Sequence, residues 1–487
     1  MSALHDRLKN NEFFKTGAFI HGKWITTGKT FPDTNPATGE RLADVAWSGR
    51  EETEAAIISA KTAFSDWRKT TAAERAAILN RWYALIMENK PFLGELMTAE
   101  QGKPLPEALG EVDYAASFIQ WFAEEARRAN GEIIPPFKPH SRIFATREPV
   151  GVVAAITPWN FPMAMLTRKL GPALAAGCTA LIKPAAETPL CANALLALAD
   201  AAGIPPGVLN GVCGDTHAIS DAIMASSDVR KITFTGSTAV GKTLVRNAAD
   251  TLKRVTMELG GNAPLIVFDD ADIDAAVAGT VANKFRNAGQ VCVAINRIYV
   301  QDAVYDAYVG KLAEAIGRLT VGDGMTPGVA IGPLIDEKAL EKVERHVKDA
   351  LDKGAEIVTG GKRSPLGGTF YEPTLLSHCS DDMALAHEET FGPVAACFRF
   401  QTEQEAVYRA NNTPFGLAAY FYTKDLSRVF RMSEAVEAGM IGINDTGVSS
   451  TVAPFGGVKE SGLGREGSVL GLEDYLEVKT LHLGNLE

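Results

Sequence analysis

The 487-residue sequence holds only six cysteines, Cys178, Cys191, Cys213, Cys292, Cys379 and Cys397, and no two form a Cys-x-x-Cys pair. That dispersion argues against a disulfide framework or thiolate zinc site and for free thiols in a reducing compartment. The eight histidines are equally scattered, without a His-x-x-x-His spacing that would set two metal ligands on one helix face. Although the net charge is −11, no block of like charge occurs, and there is no basic face of the nucleic-acid-binding kind. Mild acidity of this sort serves mainly solubility. The longest charge-free run, residues 150–167, is interrupted by Pro158 and Pro162 and makes a poor membrane span. Residues 1–15 are polar and mixed in charge, without the apolar core of a secretion signal. No internal repeat or low-complexity segment is present. The expectation is a cytoplasmic globular protein with no nucleic-acid, membrane or metal function.

What is there fills two or three domains, with 46% hydrophobic residues to form a large core. Residues 17–47 read as short strands and turns. Three amphipathic helical patterns follow, the first with Ala56, Ala60, Ala63, Phe64 and Trp67 on one face, the second over about 72–97, the third over about 105–128. Residues 131–139 are proline-rich, as in an arm or linker. From 150 onward, apolar runs at 150–156, 179–183, 208–213, 231–235 and 254–258 alternate with helical patterns. Such alternation predicts a parallel sheet covered by helices on both faces, with ligands bound beyond the carboxyl ends of its strands. A second α/β region begins at 264–268 and runs to about 444. The tail, 472–483, has the pattern of an edge strand.

Five stretches carry candidate chemistry. Phe285-Arg286-Asn287-Ala288-Gly289-Gln290-Val291-Cys292 follows an amphipathic helical run from Ile273, which Gly289 is expected to stop. Cys292 just beyond is either a nucleophile presented to a cleft or a small core residue, as most free cysteines are. Thr157-Pro158-Trp159-Asn160-Phe161-Pro162 lies past a predicted strand; its two prolines fix an amide that can serve a developing oxyanion or simply its own turn. Lys183-Pro184-Ala185 also ends a strand, where the lysine can meet a ribose or phosphate or stand in solvent. Phe234-Thr235-Gly236-Ser237-Thr238-Ala239-Val240-Gly241-Lys242-Thr243 reads as strand, turn and helix start, an anion site built from free amides and the helix dipole. From Gly236 it also satisfies the Walker A pattern, with 265–269 as a Walker B-like strand, so a P-loop NTPase is a rival reading. Met257-Glu258-Leu259-Gly260-Gly261-Asn262 offers Glu258 as a general base or a turn carboxylate.

Taken together, these segments resemble the aldehyde dehydrogenase superfamily, and within it the NAD(P)-dependent succinate-semialdehyde dehydrogenases. Glu388–Val394 and Pro454–Gly467 add two further matching motifs, and all come in the family's order over essentially the whole chain. The resemblance implies an α/β fold with a Rossmann-type cofactor domain (1–128 and 149–257), a catalytic domain (258–457), and an oligomerisation arm and tail (129–148 and 468–487). It implies that Cys292 attacks the aldehyde, Asn160 holds the oxyanion and Glu258 activates water. For the cofactor it implies Thr157, Trp159, Lys183, Ala186, Gly214, Ser237, Thr238, Glu389 and Phe391. Lys242 and Thr243 then complete the Walker pattern by chance. Arg168, Arg286 and Ser449 match positions that bind the substrate carboxylate, a role that suits guanidinium chemistry; the plain alternative for the arginines is surface salt bridging. Ala186 stands where many members carry a glutamate that holds the adenosine ribose, so NADP is expected to be preferred over NAD. Ala294 stands where some relatives have a second cysteine, so no redox-switch disulfide is expected. Glutarate semialdehyde, or a broad range of aldehydes, remains an alternative substrate class. The arm is expected to pair with the tail of a neighbouring subunit in a homodimer or homotetramer.

Overall fold

The structure is a computed structural model and describes residues 3–486. Its centre is an eight-stranded sheet ordered Gly462–Leu463, Arg254–Glu258, Val229–Thr235, Val152–Ile156, Thr179–Lys183, Leu209–Gly211, Ala18–Ile20, Lys23–Ile25. The five inner strands from Arg254–Glu258 to Leu209–Gly211 are parallel. Val152–Ile156 and Thr179–Lys183 are buried at every position, which is why they read as continuous apolar runs rather than alternating ones. The chain runs outward from Val152–Ile156 in one direction, then returns to Val229–Thr235 on its other side. The strand order therefore reverses between these two strands, and a crevice opens there beyond their carboxyl ends.

A second sheet of seven strands is ordered Glu356–Thr359, Thr374–Ser377, Val394–Phe400, Ile295–Gln301, Ala263–Val267, Ala418–Tyr422, Met440–Ile443. Only the first of these runs antiparallel to its neighbour. The two sheets are joined by Leu259-Gly260-Gly261-Asn262, so the carboxyl end of Arg254–Glu258 turns directly into the start of Ala263–Val267. The carboxyl ends of the first sheet thereby face the second sheet's entry edge, where Ile295–Gln301 begins just after Cys292.

Three readings of the sequence need correction. The pattern over 72–97 is two helices, Ala72–Glu88 and Lys90–Gln101. Pro91 lacks an amide hydrogen, is accommodated only in a first helical turn, and so forces a new start after Asn89. The helix before Cys292 ends at Lys284, ahead of Gly289. Asn287 and Ala288 already adopt left-handed backbone (φ 50° and 54°), and Gly289 continues it at φ 75°. The arm strand Arg142–Pro149 pairs antiparallel with the tail Leu476–Leu483 of the same chain, not a neighbour's. The tail leaves the body beside the arm, where Val150 N–H donates to the Tyr475 carbonyl at 3.0 Å, so register is set within the chain.

The core divides around the sheets. One apolar cluster surrounds the second sheet, and two others cover opposite faces of the first. The helix Ala164–Ala176 is buried along its whole length, Arg168 and Lys169 included. Charged groups are rarely enclosed in this way without partners, which draws attention to what these two meet.

Candidate active site

A cavity of about 550 Å3 lies at the junction of the two sheets. Cys292, Glu258 and Asn160 all line it, as do Trp159, Ser237, Glu389, Phe391, Arg168, Arg286 and Ser449. Residues as far apart in the chain as Trp159 and Ser449 thus meet because strand ends and turns of both sheets converge on one space.

The Cys292 turn is over-determined. Two consecutive non-glycine residues in left-handed backbone cost on the order of 1–3 kcal/mol each, and Asn287 and Ala288 are such a pair. Asn287 is gripped on every polar atom of its side chain: Gln101 Nε2 donates to its Oδ1 at 2.9 Å, and its Nδ2 donates to the Asn160 carbonyl at 3.1 Å and the Gln290 carbonyl at 3.3 Å. Its main-chain N–H donates to Glu107 Oε2 at 2.8 Å. Gln290 Oε1 in turn accepts from Ile335 N–H at 2.9 Å. Gly289 permits a close approach no side chain would survive, since a Cβ there would sit 2.1 Å from the Gly392 carbonyl oxygen. Asn160 is held equally firmly: its Nδ2 donates to the Gln290 carbonyl at 2.9 Å, which uses one of two amide hydrogens, and its main-chain carbonyl accepts from Lys103 Nζ at 2.7 Å. Lys103 is ion-paired with Glu111, whose Oε1 accepts from the Met163 and Ala164 amides at 3.0 and 3.2 Å. Among the described residues the Cys292 N–H meets no acceptor. That amide and the second Asn160 hydrogen are therefore available to a negative oxygen in the cavity. The half-buried Cys292 thiol is pushed up to about 12 by burial and by Glu389, against the pull of Arg168 and Arg286. At neutral pH it rests protonated, and attack on an electrophile requires a base.

Glu258 is the contrasting case. It is 2% exposed, and neither carboxyl oxygen has a hydrogen-bond partner among the described residues. Burial, then the nearby Glu466, hold its pKa well above the usual carboxylate range, opposed by Arg168 and Lys169. Glu466 itself is ion-paired to Lys169 and to Arg168 Nη1, the latter at 3.5 Å, and these partners hold its pKa low despite burial. A carboxyl group so destabilised as an anion binds a proton avidly, which suits a general base.

The remaining predicted residues line the first sheet's carboxyl edge. Thr157 and Lys183 end adjacent strands, and Thr157 N–H donates to the Lys183 carbonyl at 3.1 Å. Lys183 is buried, with its Nζ donating to the Pro184 carbonyl at 3.3 Å. Ala186 is half-buried, and Gly214 makes an isolated parallel bridge with Ser48. These, with Thr238, lie outside the cavity lining. The hydroxyls of Thr157 and Thr235, at the ends of the two strands flanking the crevice, are buried without a hydrogen-bond partner among the described residues. The first-turn amides of the helix Thr238–Ala248 point from the same crevice, and Ser237 Oγ accepts from Val240 N–H at 3.5 Å as its cap. Orphaned hydroxyls and a helix start at a sheet crossover fit an elongated polar ligand with a diphosphate. A P-loop does not fit. Only Gly236 and Ser237 separate the strand from the helix, too few to wrap a phosphate, and Lys242 is on the helix flank paired with Glu460 at 2.7 Å.

At the far end, Glu389 Oε1 accepts from Gly261 N–H at 3.1 Å, and burial pushes its carboxyl up to about 7. Phe391, with left-handed backbone (φ 55°), meets Trp159 edge-to-face with ring centroids 5.7 Å apart. The two arginines differ sharply. Arg168 is 2% exposed; Nη2 donates to the Tyr114 hydroxyl at 2.9 Å, and among the described residues its Nε and Nη1 have no hydrogen-bond acceptor, Nη1 being ion-paired with Glu466. Arg286 is exposed, lies 5.3 Å from the Phe161 ring centre, and has neither ion pair nor hydrogen bond among the described residues. Neither is a surface salt bridge. Ser449 lines the same cavity.

Sequence reasoning missed Gln101, Lys103, Glu107 and Glu111, Tyr114, Lys169, Lys342 and Glu466. The available signal was charge within otherwise apolar helices, above all Arg168-Lys169 in a helix with no exposed face.

The model of the aldehyde dehydrogenase family matches residues 24–481. The chain is 55% identical over 482 residues to the 3-sulfolactaldehyde dehydrogenase of Pseudomonas putida, covering 99% of each. It is 54% identical over 480 residues to the NADP(+) succinate-semialdehyde dehydrogenase of Escherichia coli (strain K12), covering 98% of this chain and 100% of that one. It is 53% identical over 482 residues to the glutarate-semialdehyde dehydrogenase of Pseudomonas aeruginosa, covering 99% and 100%. Among solved structures, an E. coli NADP-dependent enzyme superposes with a TM-score of 0.97 at 54% identity, covering 98% of this chain and 99% of that one.

Proposed function

The chain belongs to the aldehyde dehydrogenase family, and on that premise we propose that it oxidises a short aldehyde bearing a distal anionic group, succinate semialdehyde first, to the acid with NADP+ or NAD+. The observation that carries this reading is the state of the two arginines. Arg286, with neither ion pair nor hydrogen bond among the described residues, and Arg168, whose Nε and Nη1 have no hydrogen-bond acceptor there, line the same cavity as Cys292. Guanidinium donors left open toward one cavity suit an anionic group, which can take them bidentately.

The chemistry follows from the chain's own groups. The Cys292 sulfur attacks the aldehyde carbon; a C–S bond forms and the carbonyl electron pair moves to oxygen. The Cys292 amide and the free Asn160 amide hydrogen hold that oxygen, contacts worth a factor of about 10²–10³ in other oxyanion sites. The thiol proton passes to the unengaged Glu258 carboxylate. The bound nicotinamide supplies the hydride acceptor. Glu258, once it has released the thiol proton to solvent, takes a proton from the water that adds to the thioester carbon; the C–S bond then breaks, the Cys292 thiolate is returned and the acid is released. Splitting the reaction at a covalent stage replaces one hard step by two easier ones. Glu389 and Phe391, beside Trp159, would hold the nicotinamide ribose; Ser237, Thr238 and the helix start, the diphosphate; Lys183, with Thr157, Ala186 and Gly214, the adenosine end. Ala186 leaves no acid to repel a 2′-phosphate, which supports NADP+ as the preferred form.

Glutarate semialdehyde and 3-sulfolactaldehyde are the rival substrates, since relatives of equal likeness are named for them. Comparing kcat/KM for the three anionic aldehydes and propanal, with each dinucleotide, orders them. Arg286→Ala should raise KM for the anionic aldehydes about tenfold or more and leave propanal nearly unchanged. Equal KM changes for charged and uncharged substrates would remove the anion clamp. Assembly as a homodimer or homotetramer in the cytoplasm is part of the same proposal, supported by Ile133 and Phe137 standing exposed on the arm. Light scattering on the purified protein tests it.

A further inference from the structure

The helix Glu337–Asp352 carries a buried imidazole that the chemistry above does not use. His346 has no exposed surface. Its Nε2 lies 3.1 Å from Glu388 Oε2 and its Nδ1 lies 3.1 Å from Thr390 Oγ1. These two partners flank Glu389, so one ring bridges the residues on either side of it. One turn earlier on the same helix, Lys342 lines the cavity and faces Glu389.

The charges around the ring set its protonation state. Arg345 Nη2 reaches Glu388 Oε2 at 2.7 Å and is the main reason that this carboxyl is held down to about 2. Glu388 therefore only accepts. Burial lowers the imidazole from its ordinary value, so near pH 7 the ring is neutral and carries a single N–H. Nε2 also lies 3.2 Å from Arg345 Nη2, which only donates, so the hydrogen either sits on Nε2 and goes to Glu388, with Nδ1 accepting from the Thr390 hydroxyl, or sits on Nδ1 and goes to Thr390, with Nε2 accepting from Arg345; in both forms the ring ties the Glu388–Arg345 pair to the Thr390 hydroxyl.

The bridged segment needs such restraint. Phe391 stands in strained left-handed backbone. From the sheet side, Asn296 fixes the main chain, with its Nδ2 donating to the Glu388 carbonyl at 3.1 Å and its Oδ1 accepting from Thr390 N–H at 3.3 Å. From the helix side, the restraint is His346, which holds the Glu388 and Thr390 side chains.

We propose that His346 is a positioning residue for the dinucleotide, locking the helix that carries Lys342 to the segment that carries Glu389 and Phe391. Both walls at that end of the cavity then keep a fixed spacing. The inference rests on the reading that Glu389 and Phe391 meet the nicotinamide ribose. Its test is calorimetric titration of the full-length protein with NADP+ alone, without turnover. Thr390→Val removes the hydroxyl at nearly constant shape and should weaken NADP+ binding about fivefold or more, with aldehyde KM changed less than about twofold. His346→Phe should match it. Thr390→Ser and His346→Gln, which keep a donor and an acceptor across the same span, should bind nearly as the parent does. A folded Thr390→Val protein with unchanged NADP+ affinity, beside a weakened Glu389→Ala, overturns the lock alone. Unchanged affinity in Glu389→Ala overturns the ribose reading itself.

Discussion

The turn that presents Cys292 and the pocket that holds Glu258 border one cavity but are built in opposite ways. Around Cys292 the buried polar groups are paired, and a backbone strained through Asn287 and Ala288 is held by Gln101 and Glu107 from two helices of another part of the chain. Around Glu258 the carboxylate is left unbonded, and its environment is set by charge, with Glu466, Arg168 and Lys169 in balance. The difference fits the roles proposed for the two groups. A nucleophile and its oxyanion donors gain from fixed positions, because reorganisation during the reaction is avoided. A base that must take and return protons gains from an unsatisfied, poorly solvated carboxylate, because every hydrogen bond to the anion would weaken it as a base.

That contrast can be broken or sharpened by substitution. Cys292→Ser should lower kcat by at least about 10⁴-fold, as loss of an activated nucleophile does elsewhere, while NADP+ affinity by titration stays near that of the parent. Residual turnover within tenfold of the parent would mean that Cys292 is a wall residue. Glu258→Gln should cost about 10²–10⁴-fold in steady-state rate and suppress the burst of reduced dinucleotide, because the acceptor of the thiol proton is gone. A burst that persists would confine Glu258 to the hydrolysis step. Gln101→Leu removes one anchor of the strained turn. It should cost about 1–3 kcal/mol in unfolding free energy and lower kcat about tenfold with little change in aldehyde KM; an unaltered kcat would show that the turn keeps its shape without the anchor. The smallest effect is electrostatic. Glu466 raises the pKa of Glu258, so Glu466→Gln should lower it and move the acid limb of the kcat profile to lower pH. A shift in the other direction would show that freeing Arg168 and Lys169 is not the dominant change, and would contradict the charge balance described above.

Much of this site was legible in the chain. Cys292, Asn160 and Glu258 each follow or precede a strand in a short segment whose glycines and prolines mark a turn, and local chemistry is enough to nominate them. The first sheet was equally legible, because buried parallel strands are unbroken apolar runs. The break at Pro91 was readable in principle and was overlooked because the apolar stripe continues across it. The arm and tail were assigned to different subunits because sequence shows that two strands need partners but not whose they are. The supporting residues were much less legible: Gln101, Glu107 and His346 look like ordinary polar positions on amphipathic helices and Lys103 like a loop lysine, and their partners lie between 2 and 186 residues away.

By itself the sequence nominated the candidate reactive groups and determined the order of strands and helices and membership of a family, since these depend on residue type and short-range pattern. Tertiary structure alone decided which groups are satisfied and which are not. Among the described residues, Arg286 without an ion pair or hydrogen bond, Glu258 without a hydrogen bond and His346 held between Glu388 and Thr390 are differences of burial and distance, set by packing, and no local pattern encodes them.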